Sequence, residues 1–218
     1  MRIAVLVSGE PRLCQEFDLF LERLKGYNQA DFYFYLWSKN QSVSDYWRTR
    51  ESVLVAEPWT DIDQQWAENK IRENLPPNCN LIKLVLEDQH TLVFPKIKEN
   101  YDGLNKNNVW KMFYSAYKVN ELKTQYEIEN NFMYDLVIKV RPDLMLCSDL
   151  DLNTIKQQIN SNSKLIAVPD NTRAGEVVPI SDMIAISSSK NMDIYCNLYE
   201  EAYEHYKVLE AMMTADDK

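Results

Sequence analysis

Short apolar runs alternate along this chain with segments of helical periodicity, and the alternation limits the fold more tightly than any other feature. Residues 3–7, 31–37, 81–86, 134–140, 164–168 and 180–186 have the length and the aliphatic or aromatic content of strands. After the first run, Pro11 suits an opening helical turn, and Leu13, Phe17, Phe20, Leu21 and Leu24 follow at helical spacing up to a stop at Lys25-Gly26. Thr60 and Asp63 read as a capping box for a helix carrying Ile62, Trp66 and Ile71, which Pro76-Pro77 ends. The strongest stripe is Val109, Met112, Phe113, Ala116, Val119, Leu122 and Tyr126, with Asn107 or Asn108 placed to cap it. Asp151 is set to cap a short helix reaching about Ile159. Ser188 or Ser189 is set to cap a last helix with Met192, Tyr195, Leu198, Tyr199, Ala202, Tyr203 and Tyr206 on one side. The order β-α-β-α-β-α-β-α-β-β-α predicts an α/β layer fold with a mostly parallel sheet. One domain over residues 1–218 is expected, either complete or part of a longer protein.

Composition excludes several function classes. The chain holds four glycines, where average usage would give about fifteen. Gly9, Gly26, Gly103 and Gly175 are far apart, so neither a Walker loop nor a dinucleotide fingerprint is present. Two histidines, His90 and His205, make a His-rich zinc site or a histidine-based triad a poor expectation. Cys14, Cys79, Cys147 and Cys196 are scattered without a C-x-x-C pair, which reads as free thiols in a reducing compartment. The opening apolar run is short for a secretory leader, and no stretch approaches the ~18 residues of a membrane span. A cytoplasmic, soluble chain is expected, acting in the host cytoplasm if it is virus-encoded. With 24 Lys+Arg against 33 Asp+Glu, the net charge of -9 argues against bulk nucleic-acid binding. A single nucleotide stays compatible with that charge if a carboxylate-held divalent cation supplies the positive charge.

In an open α/β sheet, ligands bind beyond the carboxyl ends of the strands. Three strand ends carry polar groups: Ser8-Gly9-Glu10-Pro11-Arg12, Trp37-Ser38 and Arg141-Pro142-Asp143. The first leads into a helix start, which favours an anion, and Arg12 adds a fork of donors. Its plainer reading has Ser8 as a helix cap and Arg12 on the surface. At Arg141-Pro142-Asp143 the proline turns the chain and a cation and a carboxylate reach the sheet edge. Asp143 suits one position of an octahedral Mg2+ or Mn2+, with diphosphate oxygens and waters in the others. The alternative is an ordinary Arg141–Asp143 ion pair. Aromatics are taken as core by default; Trp37, Tyr46, Trp47 and Trp59, near polar loops, are the candidates for stacking on an acceptor sugar, and residues 43–50 are a candidate lid.

Five segments in order, IAVLVSGEPR, ADFYFYLW, NNVWKMFYSAYKVNELKTQYE, YDLVIKVRPDLML and ISDMIAISSSKNMDIY, resemble the small glycosyltransferases of GT-A fold found in bacterial and viral surface-glycan gene sets. The resemblance covers most of the chain up to about Tyr206. It implies a three-layer α/β/α architecture with a mixed, mostly parallel central sheet, a nucleotide-sugar donor of the uridine diphosphate-linked kind, a divalent cation and a glycan or other hydroxyl acceptor. GT-A enzymes usually carry an Asp-x-Asp at the end of the central strand. Here Lys139-Val140-Arg141-Pro142-Asp143-Leu144 stands in that place, so only Asp143 matches, as the metal-contacting residue, and Arg141 is a partial substitute for the cation. By position the resemblance puts Ser8, Gly9 and Arg12 in the nucleoside pocket, and Asn108, Lys111 and Tyr114 towards base or phosphates. Asp182 matches a carboxylate before a late apolar strand and would be the general base of an inverting transferase; the plainer reading is a turn cap. His205 reads as an exposed helix residue. Two other functions stand beside this one: a sugar-phosphate nucleotidyltransferase, faintly suggested by the segment from Leu6 to Leu13, and a non-catalytic transferase fold acting as a binding module.

Overall fold

A computed structural model describes residues 1–10, 23–27, 29–38, 63–94, 106–142, 144, 146, 148–169 and 183–215, with the side chains of 106–108 and 208–215 left out. The strands are β1 (Arg2–Gly9), β2 (Leu24–Lys25), β3 (Gln29–Trp37), β4 (Cys79–Glu87), β5 (Leu136–Val140), β6 (Leu150–Asp151) and β7 (Ile184–Ser187). The helices are α1 (Gln64–Asn74), α2 (Lys106–Asn130), α3 (Leu152–Ser161), α4 (Ser189–Cys196) and α5 (Leu198–Ala215), with a 3-10 turn at Gln89–Thr91. Five strands form the main sheet in the order β4-β3-β1-β5-β7. The first four are parallel, and β7 joins β5 antiparallel.

The sheet is buried on both faces, which is why its strands read as near-continuous apolar runs. Alternate residues of each strand point to opposite faces. Ile3, Val5, Val7, Phe32, Phe34 and Leu36 share one cluster with Ala67 and Ile71 of α1 and Leu152 and Ile159 of α3. Ala4, Leu6, Tyr33, Tyr35 and Trp37 share the other with Ala116 and Val119 of α2 and Met192 and Cys196 of α4. The result is three layers, helix on sheet on helix, as the strand and helix order predicts. Each of these larger side chains contributes about 1.5–3 kcal/mol by leaving water.

Five expectations need correcting. Leu24 and Lys25 are not the end of a helix: they form β2, which pairs with Leu150 and Asp151 of β6. Gly26 follows with a φ of 85°, and a Cβ there would stand 2.5 Å from Asn153 Nδ2, so glycine lets α3 sit against the turn. The N-cap of α1 is Asp63 itself, whose carboxylate accepts from the Trp66 N–H, and Trp66 is exposed while Ala67 and Ile71 are buried. Asn107 and Asn108 lie inside α2 and not before it. The run 164–168 is reduced to one bridge, Ala167 with Ile186, because Pro169 has no N–H to extend a ladder. The last helix is two helices, capped by Ser188 and broken at Asn197.

One buried carboxylate ties β1, β3, β4 and the segment before β5 together. Asp31, fully buried, accepts from Arg2 Nε and Nη2 at 3.0 and 2.8 Å, from Asn80 Nδ2 at 2.8 Å and from the Tyr134 hydroxyl at 2.8 Å. Those donors satisfy a carboxylate that would otherwise be costly to bury.

Candidate functional site

β1 is flanked by β3 on one side and β5 on the other, so successive crossovers leave it in opposite directions. The crevice between β1 and β5 is therefore the topological switch point, where ligands of open α/β sheets bind. The register brings Gly9 level with Leu36, Val7 level with Val140, and Trp37 level with Glu87. The carboxyl ends of four parallel strands thus form one rim: Glu87, Trp37, Gly9 and Arg141, from edge to switch point.

Gly9 has a φ of 124°, a conformation that L side chains rarely adopt, and an added Cβ would lie 3.8 Å from Pro142 Cδ. The β1 and β5 ends therefore face each other across the crevice, with Pro142 beside the open side of Gly9. Ser8 is buried in the ladder opposite Tyr35, on the same face as Ala4 and Leu6. Its alternative reading as a helix cap is corrected: it is a strand residue. The Arg141 N–H donates to the Met183 carbonyl at 3.0 Å, which anchors the start of β7 beside the end of β5.

The first half of α2 overhangs this rim because the helix runs back across β1 and β3. Lys111 comes to Glu10. Partial burial lowers the Lys111 pKa, and the attraction of Glu10 only partly offsets that. Tyr114 stacks on Trp37, with centroids 6.0 Å apart and planes 12° from parallel, and meets Tyr35 and Phe94 edge-on. Burial raises the Tyr114 hydroxyl pKa, and the neighbouring Glu87 adds to the rise. Burial pulls Lys118 down, but Glu121, Tyr114 and Glu87 together carry it above its ordinary value.

Ser8, Gly9, Lys111, Tyr114 and Arg141 lie near the carboxyl ends of the strands. Arg12, Asp143 and Asp182 lie outside the described residues, as do Tyr46, Trp47, Trp59, residues 43–50 and the side chain of Asn108. Trp37 is not open for a sugar to stack on: it is buried under Tyr114. Glu87 is the residue that sequence reasoning missed. It ends β4, accepts a hydrogen bond from the Tyr35 hydroxyl and faces Tyr114 and Lys118. The strand-end rule applied to the run 81–86 would have found it. His205 is exposed on α5. Among the described residues, no group of three or more His, Cys, Asp or Glu is poised to hold a metal ion.

No protein-family model matches the chain, and no curated protein matches it either. Among solved structures, the chain is similar to the apo crystal structure of mouse xyloside xylosyltransferase 1, with a TM-score of 0.42 and 10% identity, over 96% of this chain and 73% of that one. No helix among the described residues is long and apolar enough to cross a membrane.

Proposed function

We propose that the chain is a glycosyltransferase that moves a sugar from a nucleotide-diphosphate sugar, uridine diphosphate-linked, to a hydroxyl of a glycan. The observation that carries this reading is the switch-point crevice, with Gly9 facing Pro142 and Lys111 and Arg141 at its rim. A glycine at the β1 end lets a ligand approach the backbone closely. Two cations at the rim suit a diphosphate, and partial burial strengthens their hold on an anion. The resemblance of five ordered segments to GT-A glycosyltransferases points to the same edge.

In this reading Gly9 and Arg12 receive the nucleoside, with Ser8 buried beneath them, while Asn108, Lys111, Tyr114 and Arg141 face base and diphosphate. Asp143 is the one carboxylate offered to Mn2+ or Mg2+; a cation bound there offsets charge on the departing nucleotide diphosphate. With a single protein carboxylate in the set, substrate oxygens and water must complete the coordination. For an inverting transfer, Asp182 accepts the proton of the acceptor hydroxyl as that oxygen bonds the anomeric carbon. The bond from that carbon to the diphosphate oxygen breaks, and its electron pair leaves with the nucleotide.

Release of uridine diphosphate from a panel of donors, with and without Mn2+, tests the reading. Asp143→Ala is expected to abolish Mn2+-dependent release, and Asp182→Asn to lower kcat roughly 10²–10⁴-fold with donor binding kept. Wild-type turnover by Asp143→Ala would overturn the metal assignment. No binding of any donor by the wild type would overturn the function.

A further inference from the structure

The outward side of α2 carries a second depression, set among helices and away from the strand carboxyl ends. It opens between α2 and the α4–α5 turn, with Tyr117, Asn120, Thr124, Gln125, Asp193 and Asn197 in its lining. Beneath it lies a completed ion-pair network. Lys123 is fully buried and reaches Asp193 Oδ1 at 2.6 Å, Ser189 Oγ at 2.6 Å and Glu127 Oε2 at 3.1 Å. That ammonium is committed to holding α2 against α4. At the rim, Lys118 is paired with Glu121. The groove also includes Glu201, so carboxylates outnumber cations and an anionic ligand is disfavoured.

Asn120 is 7% exposed, and its Nδ2 donates to Asp193 Oδ1 at 2.8 Å. The Oδ1 of the same amide is buried and accepts nothing. Flipping the amide would turn that oxygen against the Asp193 carboxylate, so the orientation is fixed by its partner. A buried acceptor without a donor is unfavourable, and a ligand donor would relieve it. Around it stand the Asn197 amide, the Gln125 amide, which donates to Glu129 at 2.7 Å, the Thr124 hydroxyl, which donates to Asp193 at 3.1 Å, and the carboxylates, so the lining holds both donors and acceptors. Vicinal hydroxyls, each both donor and acceptor, match such a lining. Ile128 and Ile194 are 70% and 61% exposed at the same groove and offer apolar surface to the C–H faces of a sugar ring.

We infer that this groove is a saccharide-binding site that takes part of a neutral glycan, with a sugar hydroxyl donating to Asn120 Oδ1. The inference does not rest on the transferase reading.

Nuclear magnetic resonance of the whole chain tests it, with N-acetylchitotriose, maltotriose and xylobiose as probes and spermidine as a cationic control. At least one glycan is expected to shift the side-chain amide signals of Asn120, Gln125 and Asn197 saturably. The exposed pair Gln125→Ala and Glu201→Ala, combined, is expected to weaken that binding about tenfold, the size of one lost hydrogen bond, with thermal unfolding unchanged. Asp143→Ala should leave the shifts intact. The inference is overturned if no glycan moves these signals, if only spermidine does, if the double variant binds as tightly as the parent, or if Asp143→Ala removes the shifts.

Discussion

Gly9 is where the strand-end crevice depends most directly on one residue. Its φ of 124° leaves an alanine strained, although the added Cβ would only touch Pro142 Cδ at 3.8 Å. Gly9→Ala should therefore cost about 1–3 kcal/mol of backbone strain, lowering Tm by roughly 2–10 °C for a chain of this size; an unchanged melting curve would contradict the assigned conformation. Asp135 offers a pH test. Its carboxylate accepts the Arg2 N–H at 2.9 Å, with Lys156 at 3.5 Å. The Arg2 N–H, ahead of the opposing effect of burial and the attraction of Lys156, holds the Asp135 pKa below its ordinary value. A depressed folded pKa means the stabilisation is present above the unfolded value and is lost as pH falls through the folded one. The group is about half exposed, so the effect is under about 1 kcal/mol. The Tm difference between the parent and Asp135→Asn is expected at pH 6 and should narrow as pH falls below about 4.

Among the elements, α2 does most of the positioning: its first half overhangs the strand ends and its second half is tied to α4. Lys123 on α2 pairs with Asp193 on α4 and with Glu127 one turn along its own helix. Lys123→Ala should cost about 3 kcal/mol, because buried Glu127 loses its counter-charge while Asp193, partly exposed, is served by water. The urea midpoint should fall accordingly; a shift within error would mean that water already serves both carboxylates. The apolar stripe of α2 was legible in its middle because helical spacing shows which residues turn inward: Ala116 and Val119 are buried, whereas Val109 at its start is exposed. What spacing does not show is the use of the remaining faces. Trp110 and Tyr114 pack edge-on to Tyr199 of α5, so these aromatics form a helix–helix seam. Helix ends were shifted for a local reason: Asp63 and Thr60 are both good caps, and only the packing of Ala67 and Ile71 against the sheet chooses between them.

At the scale of the whole molecule, a ligand that binds only the folded chain must raise its stability, by about 2.7 kcal/mol at a hundred times Kd. Uridine diphosphate with Mn2+ is therefore expected to raise Tm by roughly 5–10 °C, and Arg141→Ala to reduce the shift; an equal rise with Mn2+ alone would count against a nucleotide in the crevice. The sequence by itself determined the main buried strands and the long helix, because burial period is a local property: six successive apolar or small residues from Ile3 to Ser8, all buried, suit a strand covered on both faces. It also determined that no glycine-rich loop would cradle phosphates, since Gly9 stands alone at its strand end. Only the tertiary structure decided that β1 lies between β3 and β5, that β7 turns antiparallel, and hence which strand ends share a crevice. Only it turned Ser8 inward, stacked Tyr114 over Trp37, brought Glu87 to the rim and opened the groove beside Asn120. Pairings between residues far apart in the chain, such as Ile3 with Leu136, are selected by the free energy of the assembled core. No local pattern carries that information.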